Sequence, residues 1–141
     1  MRVVKEFHRE FEFSIPLGNF HITGTVDQLL IDNDGVLLMD LKTNNIQAAE
    51  VEKEAAFYDW QLRIYGWAIN KIFAQPIIAT QLYFLIPDIV YSHPNAHLNF
   101  VQTEKWLGEV CSKIQRTQDI KEYPKGKDCA FCGYACELFH I

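Results

Sequence analysis

The sequence predicts a mixed β-sheet with helices packed on it, an α/β (α+β) fold. Two segments in the first third of the chain alternate apolar and polar residues, which is typical of half-buried strands, and a third segment is nearly all apolar until Asp40 and Lys42. Short turn sequences separate these segments, so the three strands are expected to form an antiparallel meander. A long amphipathic segment and a fourth apolar strand follow, which predicts a helical crossover onto the same sheet.

The first two strands are defined by their period of two, and the third is defined by its apolar run. Pro16–Asn19 and Asp32–Gly35 form the turns between them, because Asn, Asp and Gly tolerate positive φ. In the first strand, Phe11 and Phe13 share the apolar face, and His8 lies on the polar face. In chain order, the strands are predicted at Val3–Ile15, Phe20–Ile31 and Val36–Thr43.

Helical spacing and apolar runs define the other elements. Apolar residues recur at spacings of three and four and predict the buried face of the first helix: Phe57, Trp60, Ile64, Trp67 or Ala68, and Ile72. Thr103 is the predicted N-cap of the second helix, because its hydroxyl can accept a bond from an unpaired N–H. The predicted elements are a helix at Glu50–Phe73, a strand at Ile77–Ile86, an edge hairpin of Ile89–Ser92 with Ala96–Val101, and a helix at Thr103–Arg116.

Composition excludes several classes of protein. A chain of 141 residues with 49% hydrophobic and 22% charged residues is typical of one globular domain and not of a disordered segment. No apolar run approaches the ~20 residues of a membrane helix, and charges throughout the first twenty residues exclude a signal peptide. We therefore expect a cytoplasmic protein without a membrane partner.

The net charge of −5 argues against binding nucleic acid through charge alone. A nucleic-acid function must then depend on a local site, on bound metal cations, or on a larger protein that supplies the basic surface.

A carboxylate and an ammonium project together from the end of the third predicted strand. Asp40 and Lys42 are separated by one residue, so their side chains point to the same face. Charged groups in such an apolar strand are costly to bury unless they are paired or bind a metal. In a simple register about the Asp32–Gly35 turn, Asp27 falls opposite residue 40 or 41. The sequence therefore predicts two carboxylates and a lysine at one place.

These residues have the chemistry of a metal-dependent phosphodiesterase site. Carboxylates suit Mg²⁺ or Mn²⁺, which would stabilise charge on a phosphoryl oxygen and acidify a water molecule. Lys42 can orient that water or stabilise the developing charge. Gln61 and Tyr65, spaced i, i+4, can reach the lysine or the substrate backbone. Each feature alone also fits a solvated salt bridge, an edge-strand charge or an amphipathic helix face.

The order of these motifs resembles the RecB-like branch of the PD-(D/E)XK nuclease superfamily. The matching residues are Gly24-Thr25-Val26-Asp27, Asp40-Leu41-Lys42-Thr43 and Gln61-Leu62-Arg63-Ile64-Tyr65, within a resemblance that covers about residues 5–101. The resemblance implies a restriction-endonuclease-like fold and a Mg²⁺- or Mn²⁺-dependent DNA nuclease. Such nucleases act as exonucleases or endonucleases, often with a helicase, in recombination and repair.

The resemblance also implies a role for each residue. Asp27 and Asp40 would be metal ligands, and the main-chain carbonyl of Leu41 would be another. Lys42 would be the catalytic lysine, and Gln61 and Tyr65 would position substrate or catalytic groups.

The chain departs from the family pattern before the first strand. Family members carry a helix there, with a His or Glu metal ligand, whereas this chain begins almost on the strand, and His8 is interpreted as a surface histidine. We therefore expect residues 1–118 to be a nuclease-like core from a larger nuclease or helicase-nuclease. Two alternatives stay open: an inactive nuclease-like module that binds DNA or a helicase partner, and an unrelated α/β binding domain.

Three cysteines lie in the predicted tail, residues 119–141. Cys129, Cys132 and Cys136 resemble the C-terminal cysteines of the iron–sulfur members, although the last gap is shorter than the family's usual gap. The resemblance implies a [4Fe–4S] cluster, or Zn²⁺, in a full-length protein, and the alternative is free thiols. Cys111 could complete such a site, but core packing on its helix is the favoured interpretation.

Overall fold

The structure, a computed structural model, describes residues 4–94 and 98–119. Within these ranges, five strands form a single mixed sheet with the strands in chain order. The elements are β1 (Glu6–Leu17), β2 (Phe20–Ile31), β3 (Val36–Lys42), α1 (Val51–Ala55), α2 (Asp59–Ile72), β4 (Ile77–Phe84), β5 (Ile89–Ser92) and α3 (Phe100–Arg116). Neighbouring strands are antiparallel except β3 and β4, which are parallel. The meander, the helical crossover and the predicted fold class are confirmed.

The turn between β2 and β3 also fixes where β4 begins. Asp32 Oδ1 accepts the backbone N–H groups of Asp34 and Gly35 at 2.7 and 3.1 Å. Gly35 has a φ of +145°, and a Cβ there would clash with the carbonyl oxygen of Pro76. That same oxygen accepts the N–H of Val36 at 2.8 Å. Glycine therefore allows the close approach that starts the parallel pairing.

The core lies where α2 packs on β4 and β1. Leu62 and Ile69 of α2 are almost fully buried, and so are Leu82 and Phe84 of β4. Each such side chain contributes about 1.5–3 kcal/mol of hydrophobic stabilisation. Other members of this core are Val26, Leu29, Ile31, Val36, Leu38, Trp67 and Ala68.

Side-chain alternation along β1 reverses partway through the strand. The ladder with β2 leaves out Glu10 and Asp27, and Glu10 has a φ of +50°, which lies in the left-handed region. On the N-terminal side of Glu10, His8 packs against Phe11 and Phe73 at ring-centroid distances of 5.5 and 6.2 Å. Phe7, which is predicted on the apolar face, is exposed. The predicted face of His8 is therefore wrong, because the left-handed residue interrupts the period of two. The prediction of a surface histidine is confirmed, since the side chain is 36% exposed.

The predicted continuous helix at Glu50–Phe73 is interrupted. A 3₁₀ turn at Ala56–Tyr58 separates α1 from α2. Because a 3₁₀ turn has three residues per turn, it shifts the angular position of the residues after it. Of the residues predicted as buried, Phe57 lies in this turn, Trp60 follows it and Ile72 ends α2, and these residues are 60%, 39% and 42% exposed. The buried residues of α2 are Leu62, Gly66, Trp67, Ala68 and Ile69.

The segment from β5 to α3 also differs from the prediction. Ile89–Ser92 pairs antiparallel with β4, and α3 already begins at Phe100. The predicted hairpin between Ile89–Ser92 and Ala96–Val101 is therefore wrong, since Val101 is helical.

Asn99, and not Thr103, caps the start of α3. Asn99 Oδ1 accepts the backbone N–H of Gln102 at 3.1 Å, the bond expected of an N-cap. Thr103 lies inside the helix and is buried, and its hydroxyl donates to the Asn99 carbonyl at 3.1 Å. The Thr103 cap is wrong because the helix begins earlier than the apolar stripe suggests.

The chain divides into two compact units, Met1–Trp106 and Leu107–Ile141. In the second unit, residues 107–119 are described and contain the end of α3. There, the Thr117 N–H and hydroxyl both donate to the carbonyl of Lys113, at 3.0 and 2.8 Å. No helix in the two described ranges is long and apolar enough to cross a membrane.

Glu104 should stabilise the fold in a pH-dependent way. Its carboxylate accepts hydrogen bonds from Lys71 Nζ at 2.5 Å and Trp67 Nε1 at 2.7 Å, and these bonds lower the pKa of Glu104 below its ordinary value. The stabilisation is present above the unfolded-state pKa and is lost as pH falls through the folded-state pKa. We expect Glu104→Gln to lower the free energy of unfolding by about 0.5–1 kcal/mol at neutral pH. Urea titrations at several pH values, with Glu52→Gln as control, should show the difference shrinking in acid; a constant difference would contradict this explanation.

Candidate active site

The carboxylate of Asp27 lies where β2 and β3 separate. The β2–β3 ladder runs from Ile31↔Val36 to Gln28↔Met39 and ends there. Asp27 and Asp40 are the next residues on their strands, as the register about the turn predicts. Asp27 Oδ2 accepts the backbone N–H of Leu41 at 2.7 Å. The Asp27 carboxylate thus replaces a backbone acceptor for the Leu41 N–H, just beyond the last pair of the ladder.

Asp40 has the environment of a functional carboxylate. Its side chain is 5% exposed and lies beside Asp27. Burial raises the pKa of the Asp40 carboxyl above its ordinary value; the neighbouring Lys42 ammonium opposes this, and the Asp27 carboxylate adds to it. Two neighbouring carboxylates repel each other when both are ionised, and a divalent cation would relieve that repulsion.

Lys42 connects the carboxylates to α2. Its Nζ lies 2.6 Å from Asp40 Oδ2 and donates to Gln61 Oε1 at 2.9 Å. Gln61 Nε2 in turn donates to the Tyr65 hydroxyl at 3.0 Å. An unbroken set of contacts therefore runs from Asp27 to Tyr65. The structure brings together all five residues singled out in the sequence, while the role of each stays a prediction.

An aromatic residue that the sequence reasoning missed also contacts the lysine. The Lys42 Nζ lies 3.8 Å from the centroid of the Tyr58 ring. Asn44 bonds to the Tyr58 hydroxyl at 3.0 Å and to Glu54 Oε1 at 2.8 Å. Tyr58 precedes Gln61 by three residues, a helical spacing that could have indicated it.

Phe13 and Gly24 support Tyr65 from the β1–β2 hairpin. The Phe13 ring meets the Tyr65 ring edge-on, at a centroid distance of 5.7 Å. A Cβ added to Gly24 would lie 2.6 Å from the Phe13 ring and 3.3 Å from the Tyr65 ring. Glycine at this position of the Gly-x-x-Asp motif thus leaves room for the two rings.

Gly24→Ala should therefore disturb the packing of Phe13 against Tyr65. The new methyl group must displace the buried Phe13 ring, and overpacking of this kind costs about 1–3 kcal/mol of unfolding free energy. A thermal melt should show the destabilisation, and Gly24→Ala combined with Phe13→Leu should recover part of it. Equal melting temperatures for Gly24→Ala and the unaltered chain would contradict the close packing.

The donor set fits a hard divalent cation. Asp27 and Asp40 offer carboxylate oxygens, and the Leu41 main-chain carbonyl is the further predicted ligand. No group of three or more His, Cys, Asp or Glu residues converges in the described part of the chain. Mg²⁺ usually keeps several waters and needs only one or two protein carboxylates, so the pair is sufficient. A cleft of about 510 Å³ adjoins Asp27, lined also by Arg9, Glu10, Gln28 and Leu41.

The cysteines and the histidine considered as metal ligands in the sequence have different outcomes. Cys129, Cys132 and Cys136 lie outside the described residues, so the cluster or zinc site stays a prediction. Cys111 is a free, partly exposed thiol. His8 bonds to Glu6 Oε2 at 3.1 Å and packs on aromatic rings, and within the described residues it forms no metal-binding group with the two carboxylates.

Comparisons with known proteins agree with the motif pattern. A family model described as PD-(D/E)XK nuclease superfamily matches residues 2–136. Parts of the chain are also similar to curated bacterial proteins that are named as subunits of an ATP-dependent helicase/nuclease. Those of Lactobacillus acidophilus, Levilactobacillus brevis and Oceanobacillus iheyensis are 31%, 30% and 31% identical over 78, 97 and 107 residues. These alignments cover 52%, 57% and 63% of this chain, and only 6%, 8% and 9% of the relatives' own lengths.

Proposed function

Because the chain belongs to the PD-(D/E)XK nuclease superfamily, we propose that it hydrolyses phosphodiester bonds of DNA with the help of Mg²⁺ or Mn²⁺. The observation that carries the proposal is the continuous contact set from Asp27 through Asp40, Lys42 and Gln61 to Tyr65. An isolated surface salt bridge would explain none of the contacts on either side of it.

Asp27, Asp40 and the main-chain carbonyl of Leu41 would hold the cation. When bound, such an ion supplies Lewis-acid stabilisation of charge on a phosphoryl oxygen and lowers the pKa of water. Burial raises the pKa of the Asp40 carboxyl, and the neighbouring Asp27 carboxylate adds to the rise. A cation would stabilise both carboxylates in their ionised form, which supports this assignment.

Lys42 would orient the attacking water and stabilise negative charge that develops on the phosphate. Its ammonium is held on one side by Asp40 and on the other by Gln61, so its position is defined before substrate binds. Fixed charges of this kind avoid reorganisation at the moment of reaction, which makes them efficient in catalysis.

Gln61 would set the direction of the hydrogen bonds to Tyr65. An ammonium can only donate, so the amide oxygen of Gln61 must face Lys42 and its NH₂ group must face Tyr65. The Tyr65 oxygen then accepts from Gln61, and its own O–H is oriented to donate elsewhere. We assign that donation to a phosphate oxygen of the substrate.

DNA would bind through local contacts and bound cations, since the net charge is −5. Arg9, which lines the cleft beside Asp27, is a suitable phosphate contact. The names of the relatives include a helicase function. We propose that this chain acts as an exonuclease, in the cytoplasm, together with a helicase in DNA recombination or repair.

The test is incubation with labelled single- and double-stranded DNA in Mg²⁺, in Mn²⁺ and in EDTA. We expect cleavage that needs a divalent cation and that Asp40→Ala removes. End-labelled substrates separate exonuclease from endonuclease products. DNA binding without cleavage would instead favour the inactive, DNA-binding module. The absence of both would overturn the proposed function.

A further inference from the structure

The ammonium of Lys42 lies over the face of the Tyr58 ring, 3.8 Å from its centroid. The face of an aromatic ring carries negative electrostatic potential and attracts a cation within about 6 Å. The Lys42 side chain is 13% exposed, so water screens this attraction little. The contact therefore has the geometry and the environment of a strong cation–π interaction.

The ring completes the surroundings of the ammonium. A lysine ammonium has three N–H donors. Asp40 Oδ2 and Gln61 Oε1 lie 2.6 and 2.9 Å from Nζ, and the Tyr58 ring is the third partner. Of these three partners, Asp40 is the one that would also coordinate a metal ion.

Tyr58 is in turn held in place from the end of β3. The Tyr58 hydroxyl lies 3.0 Å from Asn44 Nδ2 and 3.3 Å from Asn44 Oδ1, and Asn44 also bonds to Glu54 of α1. Asn44 follows Lys42 by two residues. The ring is therefore fixed relative to the strand that carries the lysine, at the 3₁₀ turn between α1 and α2.

We propose that Tyr58 is a positioning residue that keeps the Lys42 ammonium in its catalytic position when Asp40 binds the catalytic cation. The inference rests on the proposed function of this site. A carboxylate in place of the ring would also attract the lysine, but it would add a third acidic group that competes for the metal. The ring attracts the lysine without contributing a metal ligand.

The test compares Tyr58→Leu, which removes the ring, with Tyr58→Phe, which keeps the ring and removes the hydroxyl. Phe57→Leu is the matched control, because Phe57 is the adjacent aromatic residue and is 60% exposed. The first readout is NMR of ¹³C-labelled lysine methylene groups. The ring current of Tyr58 should shift the Lys42 side-chain signals upfield in the unaltered chain, in Tyr58→Phe and in Phe57→Leu, and not in Tyr58→Leu.

The second readout is steady-state DNA cleavage with Mg²⁺. We expect kcat of Tyr58→Leu to fall about 5- to 30-fold with little change in KM, and Tyr58→Phe to recover most of the rate. A Tyr58→Leu chain with unchanged kcat, or equal losses in Tyr58→Phe and Tyr58→Leu, would overturn the inference. If Tyr58→Leu does not fold, the test uses the unaltered chain, in which the Lys42 signal is assigned by its loss in Lys42→Arg. A Lys42 signal without an upfield shift in that chain would overturn the inference.

Failure of the proposed function gives a different result. An unaltered chain that shows the upfield Lys42 signal and cleaves no DNA under any of the metal conditions would refute the nuclease proposal. It would leave the placement of Lys42 by Tyr58 supported by the NMR data.

Discussion

Lys42→Met should lower the single-turnover rate of DNA cleavage at least about 100-fold, the scale expected when one preorganised electrostatic contact is removed from an active site. Methionine keeps much of the length of the side chain and removes the ammonium. Without that charge, Asp40 loses its 2.6 Å partner and Gln61 Oε1 loses its donor. The developing charge on the phosphate then loses the ammonium that we propose stabilises it.

The control for this prediction is Lys105→Met, the same chemical change at an exposed lysine of α3. It should cleave DNA at the original rate. Circular dichroism of both variants separates loss of chemistry from loss of fold. A Lys42→Met chain that is folded and cleaves within about threefold of the original rate would be inconsistent with a direct catalytic role.

Asp27→Asn should change stability and activity in opposite directions. Its amide oxygen can still accept the Leu41 N–H, and the repulsion between Asp27 and Asp40 disappears. Relief of such strain at a functional site commonly yields about 1 kcal/mol of unfolding free energy, or roughly 2–4 °C of Tm for a chain of this size. DNA cleavage should be lost, because one of the two carboxylates for the cation is gone.

The pH dependence of this gain follows from the raised pKa of Asp40. A carboxyl whose folded-state pKa is raised favours the folded state below that pKa, and this contribution is lost as pH rises through it. Asp27→Asn should therefore have its largest stability advantage at neutral pH and little in acid, where Asp40 is protonated in both chains.

Thermal melts with and without Mg²⁺ test both effects. Mg²⁺ should raise the Tm of the unaltered chain and not that of Asp27→Asn. Asp88→Asn is the matched control, because it makes the same change at an exposed carboxylate and asparagine tolerates the φ of +55° found there. A lower Tm for Asp27→Asn in EDTA would show that no repulsion between the carboxylates is stored in the fold.

The parts of the site that local rules control could be predicted from the sequence. A tight turn at Asp32–Gly35 fixes the register of the two strands beside it, and this places Asp27 opposite Asp40. The period of two brings Lys42 to the side of Asp40, and helical spacing brings Gln61 to Tyr65. Each of these relations spans few residues and depends on backbone geometry alone.

The rest depends on contacts between distant segments, which no local pattern contains. The 3₁₀ turn at Ala56–Tyr58 has no glycine or proline to announce it, and it coincides with the bonds from Tyr58 to Asn44 and Lys42. The left-handed conformation of Glu10 likewise has no glycine to mark it. A period-two pattern cannot reveal where a strand reverses, so it predicts the wrong face for His8.

Binding of Mn²⁺ measured by electron paramagnetic resonance tests the central claim most directly, because it reports on the two carboxylates without requiring DNA. We predict that the unaltered chain and the Asp88→Asn control remove the signal of hydrated Mn²⁺ as protein is added. Asp27→Asn and Asp40→Asn should leave that signal in place. Equal Mn²⁺ binding by all four proteins would show that the cation does not bind between Asp27 and Asp40, and would contradict the proposed site.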